Sequence, residues 1–204
     1  FGAGWLVFLA WIPLFFALEH GRGFLHGALF GFAFFALDMR WILTLIRFNP
    51  LVAPGYVLLA AYLALPFGVV GWLMTWRTSR RPTWRWILLA PALMALAEAF
   101  RTLGPLGVGF SMTHQALYRT PWLIGSASVF GSWAVSALIV AVSAALYMAW
   151  RRRQFLYVIL AAGLLLVQAA FWLVPSGVDA EAPALSVAVV SSNVDQAVKL
   201  DARN

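Results

Sequence analysis

Two pairs of ionisable residues interrupt long apolar runs in this sequence: Glu98 with Arg101, and Asp38 with Arg40. A charge at the centre of a membrane helix costs about 2.5–3.5 kcal/mol on insertion scales, so each calls for a partner or a function. Glu98 and Arg101 stand three residues apart, on one face of a helix. They can form a structural ion pair or interfacial anchor. The alternative is contact with a lipid headgroup or substrate, since a guanidinium binds phosphate through two parallel donors; the structural role is the favoured reading. Asp38 and Arg40 carry the same two readings. His114 stands alone in a loop and reads as a surface residue rather than a ligand. His20 and His26 have no partners at metal-binding spacing. The sequence has no cysteine, and no Ser-His-Asp set or carboxylate pair at catalytic spacing stands out. No metal and no cofactor are expected.

The surroundings of these charges define the class. The 204 residues are 63% hydrophobic and only 10% charged, with a mean hydropathy of +0.87. An average soluble domain carries about 25% charge, and a disordered chain needs low hydrophobicity with high net charge. An integral membrane protein remains. The net charge of +7 comes from 14 Lys and Arg against 7 Asp and Glu. The positives fall between apolar runs, which points to membrane topology rather than to nucleic acid.

A spanning helix needs about 20 mostly apolar residues. Six candidates follow one another, at 2–18, 24–46, 51–76, 86–102, 130–150 and 155–174, giving an all-α polytopic membrane helix bundle over residues 1–176. The stretch holding Gly125, Ser126, Ser128, Gly131 and Ser132 reads as a loop or re-entrant piece ahead of the fifth span. The loop from Thr102 to Pro121 opens on Gly104-Pro105-Leu106-Gly107-Val108-Gly109, whose spacing fits neither a P-loop nor a dinucleotide fingerprint. A linker is expected at 177–184. The β-branched run at 185–190 then reads as a buried strand opening a soluble domain over 185–204. A start at Phe1 and an end just past a strand are expected of a piece of a longer protein.

The basic residues orient the bundle. Arg22, Arg77, Arg80, Arg81, Arg85 and Arg151 to Arg153 lie in alternate loops, eight in all; the opposite loops carry four, Arg40, Arg47, Arg101 and Arg119. The positive-inside rule places the first set in the cytoplasm and the C-terminal domain outside. Gly23, Gly27 and Gly31 form a small-residue ridge on the second span, among Phe30, Phe32, Phe34 and Phe35. It serves helix packing, or alternatively a groove for a lipid chain. Trp5, Trp41, Trp76, Trp84, Trp86, Trp122, Trp150 and Trp172 fall near span ends, as an interfacial aromatic belt does.

Several segments, in order, resemble the bacterial apolipoprotein N-acyltransferases. Residues 33–46, with Arg40-Trp41-Ile42-Leu43, look like a Gly/Phe-rich helix closed by a Trp. Ala60-Ala61-Tyr62-Leu63-Ala64-Leu65 looks like the family's A-A-Y-L-x-L helix. Ala90-Pro91-Ala92-Leu93 with Glu98 and Arg101 is similar to A-P-A-L-x-x-x-x-E-x-x-R. Residues 186–194 with Gln196, Lys199 and Asp201 resemble V-x-x-V-Q-G-N-x-x-Q-x-x-K-W-D. Here Ser191-Ser192 replaces the family's Gln-Gly, Leu200 its Trp, and Gly104-Pro105-Leu106-Gly107 its F-P-W stretch.

The resemblance implies a membrane domain carrying an extracytoplasmic α/β nitrilase-like domain in the bacterial inner membrane. It implies a Glu-Lys-Cys triad placed beyond Asn204. The cysteine takes an acyl chain from a phospholipid as a thioester and passes it to the α-amine of a diacylated lipoprotein. The partners implied are that phospholipid donor and that lipoprotein acceptor. Glu98, Arg101, Trp41, Asp38 and Arg40 are the candidates for substrate contact or structural support. A membrane scaffold for a nitrilase-like domain without catalysis is one alternative. A transporter is another, disfavoured because the charges gather at helix ends rather than mid-membrane.

Overall fold

The computed structural model describes residues 4–77, 82–103, 107–173 and 188. Every regular element among them is a helix. The expected linker at 177–184 and strand at 185–190 lie outside the described residues, Ala188 excepted. The chain runs through α1 (Ile12–Leu18), α2 (Gly23–Asp38), α3 (Val52–Arg77), α4 (Arg85–Arg101), α5 (Ala127–Phe130), α6 (Ser132–Arg152) and α7 (Leu156–Ala170). Short 3-10 segments lie at Gly4–Phe8, Arg40–Arg47, Thr113–Leu117, Pro121–Leu123 and Phe171–Leu173.

α3, α6 and α7 with its 3-10 extension are long and apolar enough to cross a membrane. α4 falls where the span at 86–102 is expected, but its 17 residues reach only about 26 Å at 1.5 Å each. α5 is a single turn ending at Gly131, whose φ of 79° suits a residue without a Cβ. α6 starts directly after it.

Two expected spans are not continuous helices. At 2–18 a 3-10 segment ends at Phe8 and α1 starts at Ile12. Pro13 explains the break: it lacks an N–H, and in a continuous helix its ring would strike the carbonyl of Leu9. The Ile12 N–H turns to the Leu9 carbonyl at 3.1 Å. The Phe8 carbonyl, left over, accepts a bond from the Ser143 hydroxyl at 2.6 Å. At 24–46 the α-helix stops at Asp38, and the following 3-10 segment is bent from it by 54°. Arg40, Thr44 and Arg47 are exposed polar residues, and the two charges would be costly in hydrocarbon. Ile42 and Leu45, three residues apart and so on one face of a 3-10 helix, are half-buried while the rest is exposed, which suits the segment to lie along an interface, with Met39 fully buried at the elbow.

α2 packs on α3 through the glycine ridge. A Cβ on Gly27 would stand 2.2 Å from the Phe67 carbonyl oxygen, and one on Gly23 equally close to that of Gly71. The two backbones touch, which only small residues allow. The ridge is a packing seam, not a lipid groove. α6 is the central post: α1, α4 and α7 pack against it, and Val135, Ile139, Val140, Ala144 and Ala145 are buried there.

Side-chain bonds tie the loops together at each end of the bundle. At one end Arg151 grips the Glu19 carboxylate, with its Nε at 2.8 Å, Tyr147 donates to the same carboxylate, and Arg152 Nη2 donates to the Pro82 carbonyl at 2.7 Å. The segments following α1, α3 and α6 therefore share this end, together with Arg22, Arg77 and Arg85. Arg151 holds the Glu19 carboxyl below the usual carboxylate range, against the upward push of burial. Asp38, Glu98 and Arg101 lie at the opposite end.

Candidate functional site

The charged residues in the apolar runs meet where α2 and α4 end. α4 carries Glu98 and Arg101 one turn apart, 2% and 6% exposed. No ion pair joins them. Both instead hold the segment that crosses this end of the bundle. Glu98 Oε1 accepts the Thr113 backbone N–H at 2.8 Å. Arg101 Nη2 donates to the Ser111 carbonyl at 3.0 Å and faces the Met112 sulfur at 2.9 Å. The backbone carbonyl of Arg101 receives the Val108 N–H at 2.8 Å. The guanidinium also lies over the Phe35 ring, 4.7 Å from its centre, a cation–π contact linking α4 to α2.

Asp38 joins from α2 by accepting the Ser111 hydroxyl. Ser111 itself has φ of 59°, a left-handed conformation uncommon for a residue with a Cβ. Its carbonyl and hydroxyl are held by Arg101 and Asp38, which fix that turn. Arg40 and Trp41 stay outside the cluster. Both are exposed in the 3-10 segment after α2, and Trp41 at the surface suits an interfacial anchor.

His114 is not the free surface residue expected. It is half-buried, and its Nδ1 lies 3.0 Å from the hydroxyl of the fully buried Ser136 on α6. Burial pushes the imidazole below its ordinary value, while the Glu98 carboxylate pulls the other way. No group of three metal-ligating side chains occurs among the described residues. The arrangement is one of positioning. Glu98 and Arg101 of α4 and the Ser136 hydroxyl of α6 fix the segment through its backbone, and Asp38 of α2 through the Ser111 hydroxyl, giving those polar groups partners that hydrocarbon does not supply. Ser111, Met112, Thr113 and Phe35 carried no sequence signal, because the bonds run largely to main-chain atoms and to an aromatic face.

Some donors and acceptors of the cluster stay open. Arg101 Nε and Nη1 and Glu98 Oε2 are buried without a hydrogen-bond partner among the described residues. Arg101 also forms one end of an apolar groove of about 820 Å³ between α3 and α4.

A bundle of apolar helices with its buried charges gathered at one end, holding a polar segment across it, is the membrane-embedded domain of a polytopic protein. The chain belongs to the apolipoprotein N-acyltransferase family: residues 1–145 match its N-terminal domain. It is 32% identical over 193 residues to the apolipoprotein N-acyltransferase of Shewanella oneidensis, covering 90% of this chain and 36% of that protein. It is 29% identical over 198 residues to the one of Chromobacterium violaceum, covering 91% and 37%. With the one of Nitrosomonas europaea it shares 32% identity over 137 residues, covering 64% and 27%. The chain thus spans little more than a third of the length of the first two relatives.

Proposed function

We propose that these residues form the membrane domain of an enzyme that moves an acyl chain from a phospholipid to the N-terminal diacylglyceryl-cysteine of bacterial lipoproteins. The observation that carries this reading is the match along 90% of the chain to a protein named apolipoprotein N-acyltransferase. In the proposed enzyme, residues 185–204 open an extracytoplasmic nitrilase-like domain that supplies the Glu-Lys-Cys triad. The thiolate attacks an ester carbonyl of the phospholipid, forming a thioester and releasing a lysophospholipid. The lipoprotein amine then attacks the thioester, forming an amide and returning the thiol.

The architecture suits that chemistry. Both substrates are anchored in one leaflet, so the reacting groups must be brought together at its surface. On the positive-inside rule the arginine-rich end faces the cytoplasm of the inner membrane. The end with Asp38, Glu98 and Arg101 then faces outward, beneath the catalytic domain. There Glu98, Arg101 and Asp38 position the segment between α4 and α5 through the bonds described, and Arg40 and Trp41 rest at the interface.

The test uses the complete protein reconstituted in phospholipid vesicles with a diacylated lipopeptide. Mass spectrometry follows the acyl-cysteine and the N-acylated peptide separately. Both are expected. A folded protein that forms neither would refute the reading and favour a scaffold.

A further inference from the structure

α3 and α4 are consecutive and antiparallel, yet each packs mainly elsewhere, α3 on α2 and α4 on α6. The seam between them stays open. In one half of the bundle it forms the groove of about 820 Å³, with Leu65, Pro66 and Val69 on one wall and Leu96 and Phe100 on the other. The volume falls within the roughly 300–1,000 Å³ usual for ligand sites.

The groove's position sets its dimensions. Arg101 lies 16 residues beyond Arg85 on α4, about 24 Å along the axis. In a hydrocarbon core about 30 Å thick, that places Arg101 just inside the boundary opposite the arginine-rich end. From Arg101 the groove runs back to Leu93 on α4, and from Tyr62 to Leu73 on α3. Those walls are about 12 and 16 Å long, close to one leaflet of hydrocarbon, about 15 Å. The apolar wall thus matches one acyl chain of a lipid in that leaflet. Its charged end is a guanidinium, 6% exposed, whose Nε and Nη1 have no partner among the described residues. A buried cation with open donors complements a phosphate.

We infer that the α3/α4 groove seats one diacyl phospholipid of the leaflet facing the Asp38–Glu98–Arg101 end, an acyl chain along Val69 and Leu96 and the phosphate toward Arg101. This rests on the proposed acyl transfer only in naming that lipid as the donor; the seat itself is independent of it. A donor held here has its ester carbonyls at the level of Arg101, under the segment that Glu98 and Arg101 fix.

The test measures lipid retention and turnover in the same preparations. The complete protein is purified in mild detergent from vesicles of a single zwitterionic phospholipid and examined by native mass spectrometry. Wild type is expected to retain one phospholipid per chain. The double variant Leu65→Trp/Leu96→Trp fills the groove from both walls. It should lower retention about tenfold, as if about two methylenes of chain burial were lost. Ile159→Trp, on the exposed face of α7, controls for added bulk and should retain lipid as wild type does. Arg101→Lys keeps the charge and loses the fork and its bond to the Ser111 carbonyl; compared at a temperature where both proteins are folded it should retain less lipid, and retention equal to wild type would overturn the phosphate contact. Lipid-free wild type, or equal retention in the filled variant, would overturn the seat. Groove-dependent retention in a protein that forms no acyl-cysteine would leave the seat standing and sink the acyl-transfer reading instead. Acyl-cysteine formation that is insensitive to filling would overturn the donor role of the groove.

Discussion

Gly27→Ala puts one carbon at the tightest point between α2 and α3. On the present backbone that carbon would stand 2.2 Å from the Phe67 carbonyl oxygen, 2.9 Å from its carbon and 3.1 Å from the Gly68 Cα, whereas ordinary contact starts at 3.4 Å. All three obstacles are backbone, so no side chain can swing aside. The helices must part by about 1.2 Å, and a gap of 0.5–1 Å already forfeits about a quarter to a half of each van der Waals contact. Gly23 and Gly31 share the ridge, so the parting spreads along the seam. Overpacking typically costs about 1–3 kcal/mol, while Ala for Gly returns up to about 1 kcal/mol of helix propensity. The net expectation is a loss of about 1–2 kcal/mol, or roughly 2–8 °C in melting temperature for a chain of this size. The control is Gly163→Ala on α7, where a Cβ meets nothing within 4 Å and propensity acts alone. Phe34 would be a poor control, since it stacks on Phe67 in the same seam. Thermal unfolding in one detergent should lower the Gly27 variant and leave the Gly163 variant equal or higher. Equal shifts in both would refute the close-contact reasoning.

Further expectations concern the ends of the bundle. Glu98→Gln keeps an acceptor for the Thr113 N–H but loses its charge, at a cost of about 1 kcal/mol; hydrogen exchange at residues 111–113 should quicken, and unchanged exchange would show that Glu98 does not brace the segment. Glu19 has its carboxyl held below the ordinary carboxylate pKa, about 4.3 for a free Glu, by the hydrogen bond from Arg151. Its contribution is therefore present above about that pH and is lost as pH falls through the lower folded value. Melting of wild type and Glu19→Gln should converge on acidification below that point, and a constant gap would refute the assignment. Tags at Arg153 and Asn49 should report opposite sides of the membrane, Arg153 in the cytoplasm; a shared side would contradict the orientation.

The glycine ridge shows what sequence can and cannot carry. The four-residue spacing of Gly23, Gly27 and Gly31 marks a close-packing face within one helix. Its partner, the Phe67-Gly68-Gly71 surface of α3, is a long-range choice that spacing alone does not fix. Glu98 and Arg101 were legible as costly charges on one face. Their partners were not, being mostly the backbone of residues 110–113, which any residue types could present, together with the Met112 sulfur and the distant Phe35 ring. The break before α1 follows from Pro13, and the bend after Asp38 from the polar residues Arg40, Thr44 and Arg47, which leave the apolar run. Both signals were present but were outweighed by the hydropathy of the surrounding run. The Glu19–Tyr147–Arg151 bonds join residues 128 and 132 positions apart, and no local pattern announces them.

The break at Phe8 has a consequence in time. Its carbonyl is satisfied by Ser143, 135 residues later in the chain, and Gly4 leans on the backbone of Ala116. Ribosomes extend a chain at about 5–20 residues per second, so this first segment waits roughly 7–27 s for the hydroxyl that completes it. During synthesis it is a short, interrupted apolar stretch whose leftover carbonyl finds its partner only once α6 has been made. This corner of the bundle is thus begun early in synthesis and closed late, by a residue made 135 positions afterwards.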